Sequence, residues 1–232
     1  MEKVVLLHGA LGSKDQFKDL AELLSLEFEV YTLNFSGHGG QVFHHQEFSI
    51  HDFAKEVLQF LDQNKIESTS IFGYSMGGYV AFYLATHFPE RIKKVFTLAT
   101  KFHWTIENSI QESKLMNASI IKEKVPKYAT TLEQLHGDSW VKLMNKTAEL
   151  ILDLGANAVL KEADFKNINV PILLAVGDND VMVSLEETIA IYRFLLNGQL
   201  LIFPNTTHPI NRIDLESLYF QIKNFFQLTV PH

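Results

Sequence analysis

Residues 73–77 read Gly73-Tyr-Ser-Met-Gly77, set between an apolar strand-like run, Ser68-Thr-Ser-Ile-Phe72, and a helix-like run, Gly78-Tyr-Val-Ala-Phe-Tyr-Leu-Ala85. A chain that passes from strand to helix around a central serine must bend sharply, so that the hydroxyl stands clear of the sheet. Such a bend holds the serine in a sparsely populated backbone region, at a cost of about 1–3 kcal/mol. Gly73 and Gly77 flank it because a Cβ at either position would crowd the neighbouring chain. Met76 then opens the helix, with its N–H directed at the reaction centre. Glycine and serine are common, so the pentapeptide alone says little. Its setting between a strand and a helix gives it weight.

The rest of the chain repeats that alternation. Strand-like runs fall at Lys3–Leu7, Glu29–Leu33, Thr69–Gly73, Lys94–Leu98, Ile172–Val176 and Gln199–Phe203, several of them continuously apolar. Continuous apolar strands are those buried on both faces, which predicts an α/β fold: a mainly parallel sheet of about six strands with helices on both sides. Amphipathic helices are expected at Phe53–Asn64, opened by Ser49-Ile-His-Asp52 in the manner of a capping box, at Leu185–Leu196, and at Ile213–Leu228. One stretch breaks the pattern. From about residue 102 to 169 there are only helix-like runs (Ile106–Ile121, Thr131–Trp140, Val141–Leu154), punctuated by Pro126 and Gly155. This predicts a helical lid over the sheet's C-terminal edge, where open α/β sheets bind ligands. No internal repeat occurs, and residues 1–232 are expected to form a single domain.

Several function classes drop out on charge and composition. The formal charge is −7, with a pI near 5.8; both disfavour nucleic acid and anionic membrane surfaces as partners. No apolar run approaches a membrane span. With no cysteine there are no disulfides, thiolate nucleophiles or zinc-thiolate sites, and a cytoplasmic location is the expectation, since no signal-like segment precedes the first strand. His44 and His45 with Glu47 resemble metal ligands only superficially, because adjacent histidines in an extended loop point apart. No glycine-rich phosphate-binding motif occurs, so neither a nucleotide cofactor nor a metal is expected.

A serine hydroxyl is a weak nucleophile unless an imidazole takes its proton and a carboxylate orients that imidazole. The acid should follow a strand beyond the helical stretch, where the sequence reads Ile172-Leu-Leu-Ala-Val-Gly-Asp-Asn-Asp180. Asp180 is the candidate. Asp178, two residues earlier, competes and is assigned instead to capping the turn. The histidine should follow the next strand, and Leu200-Leu-Ile-Phe203 leads into Pro-Asn-Thr-Thr-His208. Ser75, Asp180 and His208 are therefore the expected catalytic groups. The developing oxyanion needs amide donors. Those are assigned to Met76 and to Ala10 in the loop His8-Gly-Ala-Leu-Gly12, with His8 shaping the loop. His38, in Ser36-Gly-His-Gly39, is read as structural.

Taken together, His8-Gly9 with Gly12, Ser36-Gly-His-Gly39, Gly73-Tyr-Ser-Met-Gly-Gly78, Gly177-Asp-Asn-Asp180 and Thr207-His208-Pro209 resemble the α/β-hydrolase superfamily, in its small, lidded, single-domain form. The likeness spans nearly the whole chain apart from the lid. It departs in lacking an N-terminal hairpin, so six strands are expected rather than eight, and in having Asn34 where Asp is usual. The resemblance implies hydrolysis of a small carboxylic ester through an acyl-enzyme. Trp104, Trp140 and Met144 of the lid are then expected to line an apolar substrate pocket. Superfamily members also include C–C bond hydrolases, perhydrolases, thioesterases and ligand receptors with little turnover, which share these motifs.

Overall fold

The structure, a computed structural model, describes residues 1–228. Its six strands are β1 (Lys3–Leu7), β2 (Glu29–Thr32), β3 (Thr69–Tyr74), β4 (Ile92–Leu98), β5 (Ile172–Gly177) and β6 (Gly198–Phe203). They form one sheet in the order β2-β1-β3-β4-β5-β6. Every neighbouring pair is parallel, with Val5 opposite both Tyr31 and Ile71, Phe72 opposite Phe96, and Gly177 opposite Phe203. The expected strands are present to within two residues at each end. After β1 the chain moves outward to β2, then returns to the far side of β1 with β3. That reversal lies between β1 and β3, and it opens a crevice at their C-terminal ends where ligands of such sheets bind.

Alternate residues of a strand point to opposite faces, so each strand feeds two cores. Val5, Leu7, Ile71, Val95 and Ile172 pack on one face with Phe53, Val57, Val80 and Leu84. Those partners come from α2 (Ile50–Gln63) and α3 (Met76–His87). Val4, Leu6, Phe72, Phe96 and Leu173 pack on the other face with Leu20, Leu24, Leu218 and Ile222. These belong to α1 (Lys18–Leu24) and α10 (Leu215–Gln227). α1 was not expected from the sequence. α2 starts three residues earlier than expected, because the Ser49 side chain accepts from the Asp52 N–H at 3.0 Å and so is itself the cap of Ile50.

Between β4 and β5 lie five helices: α4 (Ile106–Leu115), α5 (Ala118–Lys124), α6 (Pro126–His136), α7 (Trp140–Ala156) and α8 (Glu162–Asn167). α9 (Leu185–Phe194) then joins β5 to β6. Three details depart from the sequence expectation. The run Ile106–Ile121 is broken in two, since Asn117 caps α5 by accepting from the Ile120 N–H at 3.0 Å. α6 begins at Pro126 and stops at Gly137, whose φ of 65° an L side chain resists. Gly155 does not end α7. It sits inside the helix, where a Cβ would lie 2.0 Å from Ser109 Oγ, and so lets α7 pack directly against α4.

Packing around the crevice is close at Gly77, in the first turn of α3. A Cβ there would lie 2.2 Å from Leu7 O and 2.8 Å from His8 O, both of them backbone atoms that cannot swing aside. Gly77→Ala is expected to destabilise by about 1–3 kcal/mol through this overpacking. At roughly 2–4 °C per kcal/mol for a chain of this size, thermal unfolding followed by circular dichroism should fall by several degrees. An unchanged melt would mean α3 does not abut β1 this closely.

Candidate active site

Ser75 occupies the single residue between the end of β3 and the start of α3, with φ 51° and ψ −116°. For a residue with a Cβ this is strained backbone, and its surroundings hold it in place. The Ser75 N–H donates to Leu98 O at 2.9 Å. Thr100 Oγ1 donates to Ser75 O at 3.1 Å, and the Gly78 amide reaches the same carbonyl at 3.0 Å. Three glycines make the bend possible. A Cβ on Gly73 would lie 2.5 Å from Gly78 Cα, and one on Gly78 would lie 2.0 Å from Thr100 Oγ1; Gly77 meets β1 as above.

Asp180 and His208 converge from the loops after β5 and β6. His208 Nδ1 donates to Asp180 Oδ2 at 2.9 Å. The Met182 and Val183 amides donate to Asp180 Oδ1 at 2.8 and 2.9 Å. The Asp180 side chain is wholly buried. Burial pushes its pKa up, but the histidine and the two amides outweigh that and hold the carboxyl below its ordinary range. An ionised carboxylate can only accept, so Nδ1 carries the proton and Nε2 of the neutral ring keeps a free lone pair. Asp178 does something different: its Oδ1 accepts from the Thr206 N–H at 3.1 Å, bracing the loop that carries His208. Tyr74 adds a strap, its hydroxyl donating to His208 O at 3.0 Å. No spacing rule in the sequence pointed to that tyrosine, which is simply the residue before the serine.

The loop after β1 is shaped by buried histidines. His8 Nε2 accepts from the Phe35 N–H at 3.1 Å, and Nδ1 donates to Gly9 O at 2.8 Å. Its pKa is pushed down to about 4, chiefly by burial. His136, from the end of α6, bridges two loops. Its Nδ1 accepts from the Gly39 N–H at 2.9 Å, and its Nε2 donates to Leu11 O at 3.0 Å. His38 lies between them, its ring centre 4.9 Å from that of His8 and 6.1 Å from that of His136, tilted to the first and edge-on to the second. Asn34, where an aspartate was the family expectation, uses both ends of its amide. Its Oδ1 accepts from the Lys14 N–H at 2.7 Å, while Nδ2 faces Gly39 O at 3.5 Å. His136 was missed in the sequence because nothing local marks a helix-end histidine as a loop tether.

Ala10, Ser75, Met76 and His208 all line one cavity of about 90 Å³. The Met76 amide, first in α3, is among the helix-start donors with no intrahelical partner. The opposite wall comes from the helical insertion, through Trp104, Met116, Leu150, Ile151 and Leu154. Trp104, one of the residues expected in the pocket, lines this cavity. Trp140 and Met144 do not line this cavity. α7 turns Thr147, Leu150, Ile151 and Leu154 toward it, a set one helical face wide. Trp140 and Met144, one to two turns earlier, are buried in the core instead. Among the described residues no cluster of three or more histidine, aspartate or glutamate side chains is placed to hold a metal ion. His45, weighed as a ligand, is 2.8 Å from Glu56 Oε1. No described helix is long and apolar enough to cross a membrane.

A parallel sheet with a strained serine at a strand–helix bend, and a histidine–carboxylate pair at later strand ends, defines a class of α/β proteins built for nucleophilic chemistry. The family model of the alpha/beta hydrolase fold matches residues 3–211, and the chain belongs to that family. A pimeloyl-[acyl-carrier protein] methyl ester esterase of Neisseria meningitidis is 24% identical over 229 residues, covering 90% of this chain and 71% of the relative. A "Probable alcohol acetyltransferase" of Wickerhamomyces anomalus is 33% identical over only 94 residues; these are 40% of this chain and 27% of that longer protein. Among solved structures, a 2-hydroxy-6-oxo-6-phenylhexa-2,4-dienoate hydrolase from Rhodococcus sp. strain RHA1 superposes with a TM-score of 0.82 at 16% identity. That match covers 98% of this chain and 91% of the other.

Proposed function

We propose that this chain hydrolyses a small carboxylic ester through an acyl-enzyme. The observation that carries the reading is the convergence on one cavity of Ser75, Ala10, Met76 and a His208 hydrogen-bonded to Asp180. His208 Nε2 takes the Ser75 hydroxyl proton as Oγ attacks the ester carbonyl, and the Ala10 and Met76 amides stabilise the oxyanion. Collapse of the tetrahedral adduct breaks the bond to the alkoxide, which leaves with the proton from His208. Water then attacks the acyl-serine, giving its proton to His208, and Ser75 regains a proton as the acid departs. Asp180 keeps the histidine in the tautomer both steps need. The insertion α4–α8 serves as a lid, supplying the apolar half of the pocket. Esterase naming of a relative aligned over 90% of the chain supports an ester as the substrate class.

The test is a rate series on p-nitrophenyl esters of graded acyl length. A cavity this narrow, against a few hundred Å³ for drug-sized ligands, predicts repeated turnover on acetate and butyrate and a steep loss by decanoate. Silence on all of them from folded protein, or a single stoichiometric burst, would overturn the reading.

A further inference from the structure

The walls of the cavity are largely apolar, yet two oppositely charged residues reach it. Lys101 lies on the loop after β4, and Glu112 lies on α4. Their side chains are only 19% and 18% exposed. Burying two charges is costly and is repaid only by close, well-matched contacts. Here the match is poor. Lys101 Nζ stands 3.6 Å from Glu112 Oε1, beyond a direct hydrogen bond, and 3.3 Å from Met182 O. It also lies over the face of Trp104, 5.5 Å from the ring centre. An ammonium has three donors, and among the described residues none of these has a partner closer than 3.3 Å. A structural bridge between the β4 loop and α4 would be shorter. What is built instead is a cation seat with an aromatic floor and a backbone carbonyl beside it, and with a carboxylate standing off at contact distance.

Resting on the ester-hydrolase reading above, we infer that Lys101 receives a carboxylate at the far end of the substrate. Glu112 holds that place until the substrate carboxylate displaces it. The substrate class is then the half-ester of a small dicarboxylic acid: one end esterified and presented to Ser75, the other ionised and paired with Lys101. The apolar residues between them accommodate the methylene chain. An ammonium already stripped of most of its water loses little further hydration when the ligand arrives, and Trp104 keeps it in position.

The experiment compares kcat/KM for monoethyl succinate, adipate and suberate with that for neutral ethyl esters of matched length. Acid release is followed by NMR in the parent, Lys101→Met and Glu112→Gln proteins. At least one half-ester should exceed its neutral counterpart in the parent. The half-ester to neutral ratio should fall tenfold or more in Lys101→Met and rise severalfold in Glu112→Gln, where the competing charge is gone. Preference for the neutral ester at every length, or a Lys101→Met change that leaves the ratio untouched, would overturn the inference. Calorimetry on Ser75→Ala separates this from the question of catalysis. A half-ester whose affinity drops tenfold on adding Lys101→Met supports the carboxylate seat even if no ester turns over. Ester turnover with no such dependence sinks the seat and leaves the hydrolase reading standing.

Discussion

Ser75→Ala lowers kcat by roughly 10⁴–10⁶ while the protein stays folded; this is the largest effect expected of any single substitution. The size follows from the division of labour at the bend. The Ser75 backbone does the structural work: its N–H binds Leu98 O, and its carbonyl accepts from Thr100 Oγ1 and the Gly78 amide. Alanine keeps all of these and meets the same strain at φ 51°. What disappears is Oγ alone, the atom proposed above to form the acyl-enzyme. His208 and the amides of Ala10 and Met76 then retain only the residual catalysis of an oriented base and an oxyanion site acting on water. Steady-state kinetics with thermal melts in parallel decides the matter. Turnover within tenfold of the parent, from protein with an unchanged melt, would assign the nucleophile elsewhere.

The sheet and the bend were legible because their signals are local. A strand buried on both faces has to be apolar throughout, and Ile172–Val176 is. A strand-to-helix turn has to carry glycines where backbones touch, and Gly73 and Gly77 are there. Asp180 and His208 were placed by strand order, and the structure brings them within a hydrogen bond. The insertion was harder to read. Its helices pack on one another as well as on the sheet, so hydrophobic spacing alone did not separate Met144, which does not reach the cavity, from Leu150 and Ile151, which line it. The break at Asn117 depends on a single side-chain cap inside a helix-like run. His136 and Lys101 were invisible for another reason. Each acts on partners distant in the sequence, Leu11 and Gly39 for one and Glu112 and Met182 for the other.

Acid should unfold this protein earlier than its carboxylates alone would dictate, because three neutral histidines are locked beneath the loop after β1. His8 and His136 each accept an amide hydrogen at one nitrogen and donate to a carbonyl from the other, so a second proton would set N–H against N–H. His38 donates from Nδ1 to Ser36 O, and its buried Nε2 has no partner among the described residues. Burial leads the causes that lower all three pKa values: His8 to about 4, His38 well below 6.5, and His136 below it. In the unfolded chain each takes up a proton near pH 6.5. Between that pH and the lowered folded values, the unfolded state holds more protons, so stability is full above about pH 6.5 and drains away as pH falls toward 4. His8 alone accounts for a loss on the order of 3 kcal/mol across that window. Asp180, its pKa also lowered, adds to the loss at still lower pH. Glu56, raised chiefly by burial, works the other way and offsets part of it. Urea unfolding at pH 7.5 and pH 5 should show a clearly lower midpoint at pH 5, with the slope unchanged. His136→Gln should recover part of the difference, because a glutamine amide can accept from Gly39 and donate to Leu11 without titrating. Equal midpoints at the two pH values would mean these rings are not held neutral. Should they differ, the loop carrying Ala10 is the element that acid loosens first, since His8 and His136 grip it at Gly9 O and Leu11 O.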